Sequence, residues 1–435
     1  MLSTLTKPLV ALVERYLPDP YIFVLFLTVV VMACAVLFEG VGPLAVVEMW
    51  GNGFWTLLQF SMQMVFVLVA GYMMASTPLV RRLLARIAGI ASSARGAIVL
   101  VTVVSLAASW LNWGFGLIVG ALFAKELARK VEVDYRLLIA SAYSGFLVWH
   151  GGLAGSIPLA IATEGHPFAS AIGVIGTSQT IFAPFNLIIV AALFIAVPLV
   201  NRMMMPAPQD SIYVDRSKLV EASAEDRAAL TPADRLERSP ILSWIVGAAG
   251  AVWLLIYFLK GGTLSLNVVN FLFLTLAILL HGTPYNLLIS LQEGVKGAAG
   301  IVIQFPFYSG IMAVMVGSGL AASISDGLVS LASPESFPFW AFLSAGIVNF
   351  FVPSGGGQWA VQAPVILPAA EALGVDAARA AMAVAWGDAW TNMIQPFWAL
   401  PLLGIAGLRA KDIMGFCVVQ LVVSGVLITL GLTLF

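Results

Sequence analysis

Pro353-Ser354-Gly355-Gly356-Gly357-Gln358 lies in the middle of an otherwise apolar stretch from Phe337 to Ala372, and its reading decides the fold. Three similar interruptions sit in other apolar stretches: Ser109-Trp110-Leu111-Asn112-Trp113-Gly114, Trp149-His150-Gly151-Gly152 and Trp390-Thr391-Asn392. They fall into two pairs. A shift of 242 residues carries Asn112 to Ser354, Gly114 to Gly356, Asp134 to Asp376, Gly145 to Gly387 and His150 to Asn392 without a gap. Irregular backbone at membrane depth is tolerated only where it is buried in protein or lines a cavity. Interrupted helices in matching positions of two halves point to the binding site of a secondary transporter. The pattern predicts an all-α polytopic membrane protein built from two inverted-topology repeats.

Composition agrees. The 435 residues are 60% hydrophobic and 10% charged, with a mean hydropathy of +0.99, whereas soluble domains carry about 25% charged residues. A net charge of -1 without a basic cluster excludes nucleic acid as a partner and leaves the lipid bilayer. Cys34 and Cys417 lie in apolar stretches near opposite ends, so neither a disulfide framework nor a metal site is expected from them. The first 20 residues show no apolar core ahead of a small-residue cleavage site, so no cleaved signal peptide is expected.

Complete apolar spans are expected near 21–38, 54–75, 178–200, 241–259, 266–281, 298–319 and 412–434, with broken spans at 136–162 and 377–407, giving about nine transmembrane helices. Residues 97–128 and 337–372 are too long for one crossing and are broken midway into arms of roughly 14 residues, too short to cross singly. Both are therefore expected as re-entrant helical hairpins. Charge tests that count: with the N-terminus cytoplasmic and the C-terminus periplasmic, 19 of the 21 basic residues fall inside, leaving Lys260 and Arg379 outside. The expected organisation is a first repeat over 1–200, a cytoplasmic linker over 201–240, an extra helix over 241–259 and a second repeat over 260–435. The extra helix delivers the second repeat from the opposite face. Residues 78–93 pattern as an amphipathic interfacial helix, with Arg81, Arg82 and Arg86 beside Leu79, Leu83 and Leu84.

Breaks create chemistry because each following half-helix presents unpaired N–H groups and the positive end of its dipole, an anion site that needs no buried Arg or Lys. The candidate substrate-binding residues are Asn112, Gly114, His150, Ser354, Gly355, Gly356, Gln358, Thr391 and Asn392. Asp388 is the carboxylate that falls well inside a span, and it suits proton exchange, cation ligation or hydrogen bonding to broken backbone. Asn112, Ser354 and Asn392 share that neighbourhood by the repeat, and Asn112, Ser354 and Asp388 make a candidate sodium site. Neutral amides and hydroxyls fit either a carboxylate or Na⁺, and spacing does not separate the two. Trp113, Phe115, Trp149, Trp359 and Trp390 flank the breaks and are candidates for the apolar wall around a short alkyl chain. No organic cofactor is expected. An enzyme with Ser354 as nucleophile and His150 as base is disfavoured because the repeat duplicates the breaks without duplicating that pair. A channel is the other competing class.

The words Ser109-Trp-Leu-Asn-Trp-Gly-Phe-Gly116, Gly145-Phe-Leu-Val-Trp-His-Gly-Gly-Leu153, Phe351-Val-Pro-Ser-Gly-Gly-Gly-Gln-Trp359 and Trp386-Gly-Asp-Ala-Trp-Thr-Asn392, with the opening Glu14-Arg-Tyr-Leu-Pro-Asp-Pro20, resemble the bacterial short-chain fatty acid transporters of the AtoE type nearly end to end. That resemblance implies ion-coupled uptake of small monocarboxylates such as butyrate or acetoacetate across the inner membrane. More distantly, the layout is similar to the ion transporter superfamily. This implies a homodimer in which a mobile domain moves against a scaffold, elevator fashion, and keeps another small carboxylate, a dicarboxylate or an amino-acid conjugate, as the competing substrate.

Overall fold

The computed structural model describes residues 20–215, 219, 231–349, 352–395 and 398–435. The opening motif before Pro20, with Lys7 and Arg15, and linker residues Arg216, Lys218 and Arg227 lie outside the described residues. Among those described the chain is helical, without strands. The first half runs α1 (Pro20–Glu39), α2 (Pro43–Gly53), α3 (Leu58–Ala75), α4 (Pro78–Ala88), α5 (Ala94–Leu111), α6 (Trp113–Lys130), α7 (Tyr135–Ser144), a 3₁₀ segment (Gly145–Gly151), α8 (Ser156–Ile161) and α9 (Pro184–Met203). After the linker come α10 (Ile241–Leu259), α11 (Leu266–His281), α12 (Pro284–Lys296), α13 (Ala299–Ser318), α14 (Leu320–Leu331), α15 (Phe337–Val348), α16 (Gly355–Ala372), α17 (Ala377–Thr391), α18 (Ala399–Ala406) and α19 (Ala410–Leu434).

Helix starts are written locally. Proline opens α2, α4, α9 and α12 at a position whose N–H no helix needs. Asp134 and Asp376, related by the 242 shift, accept hydrogen bonds from Leu137 N at 2.9 Å and Arg379 N at 3.0 Å and so cap α7 and α17. The shift also carries α6 onto α16 residue for residue, and α7 onto the start of α17. Packing repeats reciprocally: α1 lies on α13 as α11 lies on α3, α2 on α13 as α12 on α3, and α6 on α3 as α16 on α13. The extra helix α10 packs on α11 and is largely exposed, a lipid-facing position. The broken segment Tyr135–Ile161 is buried almost throughout, so the centre of the molecule is made of interrupted helices.

Over residues 97–128, α5 and α6 pack on each other. Gly116 lies against Ser109, where an added Cβ would stand 2.4 Å from its Cα, and Gly120 lies against Ser105, so the arms run antiparallel about Asn112. Two expectations need correction. The arms are 18 residues each, not roughly 14, because Asn112 alone ends α5 and begins α6; each is ~27 Å long. Arm length therefore does not by itself exclude a crossing, and Ala94–Leu111 is one of eight stretches in the described residues long and apolar enough to span. In residues 337–372 the arms are unequal, 12 and 18 residues, and α15 packs mainly on α17, touching α16 near the tip where Gln358 Nε2 donates to Ala345 O at 2.8 Å. The helices α2 and α12 lie outside the apolar spans expected from sequence.

Candidate functional site

Each hairpin tip is fixed by a side-chain cap. Asn112 Oδ1 accepts from Phe115 N at 2.9 Å, and Ser354 Oγ accepts from Gly357 N at 3.4 Å. A helix leaves its first N–H groups outside its own ladder. Those of Trp113 and Gly114 at one tip, and of Gly355 and Gly356 at the other, are what the caps leave over. The first tip presses on α3, with a Gly114 Cβ position 3.0 Å from Leu68 backbone. The second meets the rings of Phe60, Phe305 and Tyr308 at Gly356 and Gly357.

Trp149 joins the two tips. Its ring centroid is 5.7 Å from that of Trp113, and its outer edge would stand 2.8 Å from a Cβ at Gly355. Phe146 stacks on it at 5.3 Å, and its indole N–H donates to Asn392 Oδ1 at 3.1 Å. An indole can only donate, so the Asn392 amide is oriented with its nitrogen toward Asp388 Oδ1, 3.2 Å away. The other carboxylate oxygen, Asp388 Oδ2, stands 3.5 Å from His150 Nε2, both side chains fully buried. His150 has no well-formed hydrogen bond among the described residues; the Ala385 backbone is another polar neighbour of the ring. Whichever of the pair holds the proton, imidazolium with carboxylate or imidazole with acid, the net charge is zero, which a site without solvent tolerates. Tyr143 Oη donates to Asn392 O at 2.6 Å, and Asn349 Nδ2 to Asp388 O at 3.0 Å, holding the backbone where α17 ends.

The structure thus brings His150, Asp388, Asn392, Trp149, Trp113, Gly355 and the two caps toward one centre. Other candidates lie aside. Thr391 Oγ1 accepts from Asn349 and donates to Gly387 O, within the α15–α17 contact. Gln358 bridges Ala345 and Gln362. Phe115 faces Phe273 of α11, and Trp359 faces Phe168. Trp390 is a correction: its indole donates to Leu421 O at 2.7 Å and its rings pack on Phe342, so it joins α17 to α15 and α19 rather than walling a pocket. Trp390→Phe is expected to lower thermal stability by about 1 kcal/mol, the size of one hydrogen bond, with uptake retained; uptake lost in a stably folded variant would return Trp390 to the site.

The His150–Asp388 pairing was missed from sequence: the 242 shift matches His150 to Asn392, which lies four residues beyond Asp388. Sealed at this centre are polar atoms without partners among the described residues, including Asn112 Nδ2, Trp113 Nε1 and Asp388 Oδ2. The two oxygens named with Asp388 for sodium, Asn112 Oδ1 and Ser354 Oγ, both serve as caps. No cluster of three His, Cys, Asp or Glu that would hold a metal occurs among the described residues.

Comparison with known proteins adds the following. A family model described as short chain fatty acid transporter matches residues 1–435. A protein of Escherichia coli K12 whose name assigns it provisionally to short-chain fatty acid transport is 43% identical, covering 100% of both chains. A similarly named protein of Haemophilus influenzae is 42% identical over 99% of each. Among solved structures, the YdaH transporter of Alcanivorax borkumensis, described as having an unusual topology, superposes with a TM-score of 0.59 at 15% identity, covering 96% of this chain and 97% of that one. MtrF of Neisseria gonorrhoeae gives 0.51 at 15% identity over 96% and 95%. At that identity the likeness is one of fold.

Proposed function

This chain belongs to the short chain fatty acid transporter family, and on that premise we propose that it takes up short-chain monocarboxylates such as butyrate or acetoacetate across a bacterial inner membrane by ion-coupled alternating access. The observation that carries the reading is the pair of capped tips, at Asn112 and Ser354, reaching Trp149 from two sides with buried donors still unpartnered. A short-chain acid is mostly ionised at neutral pH, by analogy with a Glu side chain at about 4.3. It needs anion-binding donors beside an apolar wall. Helix N-termini supply the first without a buried cation, and Trp113, Trp149 and Phe146 supply the second.

In this reading 97–128 and 337–372 are re-entrant hairpins of an inverted repeat. The hairpins and broken helices move as one body, in an elevator, against a scaffold of α1–α3 and α10–α13, and two copies associate through scaffolds. The N-terminus is cytoplasmic and the C-terminus periplasmic. The coupling ion, H⁺ or Na⁺, acts at Asp388. Nitrogens of Asn392 and His150 facing that carboxylate favour the proton, since Na⁺, like other hard cations, takes oxygen ligands.

The test is counterflow of labelled butyrate in proteoliposomes, with protein-free vesicles as control for passive entry of the neutral acid. Saturable, protein-dependent counterflow is expected, followed by accumulation under an imposed pH or Na⁺ gradient. Non-saturable flux would make the protein a channel. Counterflow of dicarboxylates or amino-acid conjugates but not butyrate would reassign the substrate.

A further inference from the structure

A cavity of about 760 Å³ opens beside Lys296 and Glu293 and ends at Gly114, the second residue of α6. That volume is within the range of small-molecule sites. Part of its wall is aliphatic, from Leu68 of α3, Leu117 and Ile118 of α6 and Ile303 of α13. Two donors share the cavity with that part. One is the N–H of Gly114, which lies outside the helical ladder. The other is Gln304 of α13, only 4% exposed, whose Oε1 accepts from Tyr308 Oη at 3.1 Å. An amide whose oxygen is so occupied offers its NH₂, and Gln304 Nε2 makes no other hydrogen bond among the described residues. An amide donor and a helix N-terminus thus meet in one cavity, whose lining also carries Tyr21, Tyr72, Glu293 and Lys296.

We propose that this cavity is a substrate site for a monocarboxylate with a short aliphatic tail, the carboxylate against Gly114 N–H and Gln304 Nε2, the tail along Leu117, Ile118 and Ile303. The inference rests on the transport function proposed above and adds to it a binding residue, Gln304, that the break motifs do not contain.

Gln304→Glu tests the site. Glutamate keeps the oxygen that Tyr308 uses and replaces the donor with an acceptor, so KM for butyrate counterflow is expected to rise about tenfold or more, the loss of one charge-assisted hydrogen bond, with a smaller change in maximal rate. An unchanged KM overturns the assignment. Gly297→Cys provides a reading that leaves Gln304 intact. Gly297 lines the same cavity, and a Cβ there meets its neighbours at an ordinary 3.5 Å. Saturating butyrate is expected to slow modification of that thiol by a water-soluble reagent, relative to a thiol at the outlying Gly327. Equal rates with and without butyrate overturn the site while wild-type counterflow persists; absence of counterflow in the wild type overturns instead the transport reading beneath it.

Discussion

Gly355→Ala is expected to bring butyrate counterflow close to the protein-free background, while the variant still inserts and purifies as the wild type does. A Cβ at 355 would stand 2.2 Å from His150 Nε2, 2.7 Å from its Cε1 and 2.8 Å from Trp149 Cη2. Neither ring has room to retreat. Trp149 is held by the Phe146 stack, by Trp113 and by its bond to Asn392, and His150 is fully buried against Asp388. The tip itself must therefore move. Overpacking of this kind costs about 1–3 kcal/mol in stability, which a large membrane domain survives, but a displacement of about 1 Å at a binding centre can cost ~100-fold in rate. Gly327, where an added Cβ meets nothing within 4 Å, is the control: alanine there leaves counterflow unchanged. Wild-type rates in Gly355→Ala, at matched incorporation, would mean that the second tip does not close on His150 during the cycle.

That glycine was legible in the sequence because Ser354-Gly355-Gly356-Gly357 interrupts an apolar run and has a counterpart 242 residues earlier. Its partner was less so. Sequence places His150 opposite Asn392 by the 242 shift, which is correspondence and not contact; contact is set by packing between segments and pairs His150 with Asp388. The same distinction explains Trp390. Beside a break, an indole reads as a pocket wall, but whether it faces the break or the next helix depends on its azimuth on α17, and the Leu421 carbonyl that claims it lies on an element with no marker in the sequence around it. Gln304 was invisible for a third reason. It sits next to Pro306 in a long apolar helix with no break motif, and its significance comes from the cavity between α3, α6 and α13, a tertiary feature. Where a polar atom must be satisfied locally, as at the caps Asn112, Asp134, Ser354 and Asp376, the sequence is explicit; where the partner comes from another helix, it is silent.

Asn112 carries two separable roles, and Asn112→Ser is expected to split them. Its Oδ1 caps α6 through Phe115 N, while its Nδ2 is buried with no partner among the described residues. Loss of a cap to alanine costs about 1 kcal/mol, so alanine or leucine would confuse a loosened tip with a lost ligand. Serine caps as well as asparagine does, and it is what the other tip already uses at Ser354. Asn112→Ser should therefore unfold within a few degrees of the wild type, roughly what an unchanged cap allows. Transport should fall much further. A buried, unpaired amide donor is costly to keep, and its retention at the end of α6 makes sense if a carboxylate takes it during the cycle. A hydrogen bond to a charged group contributes about 1.5–3 kcal/mol, so removal of Nδ2 should raise KM for butyrate ~10- to 150-fold. The reciprocal change Ser354→Asn, which adds such a donor to the second tip, should not restore it, since Gly355 and His150 leave that tip no free space. An Asn112→Ser protein with wild-type KM would show that the orphaned amide is satisfied by something other than the substrate, and the carboxylate would then have to be held without it, by backbone N–H groups and Gln304.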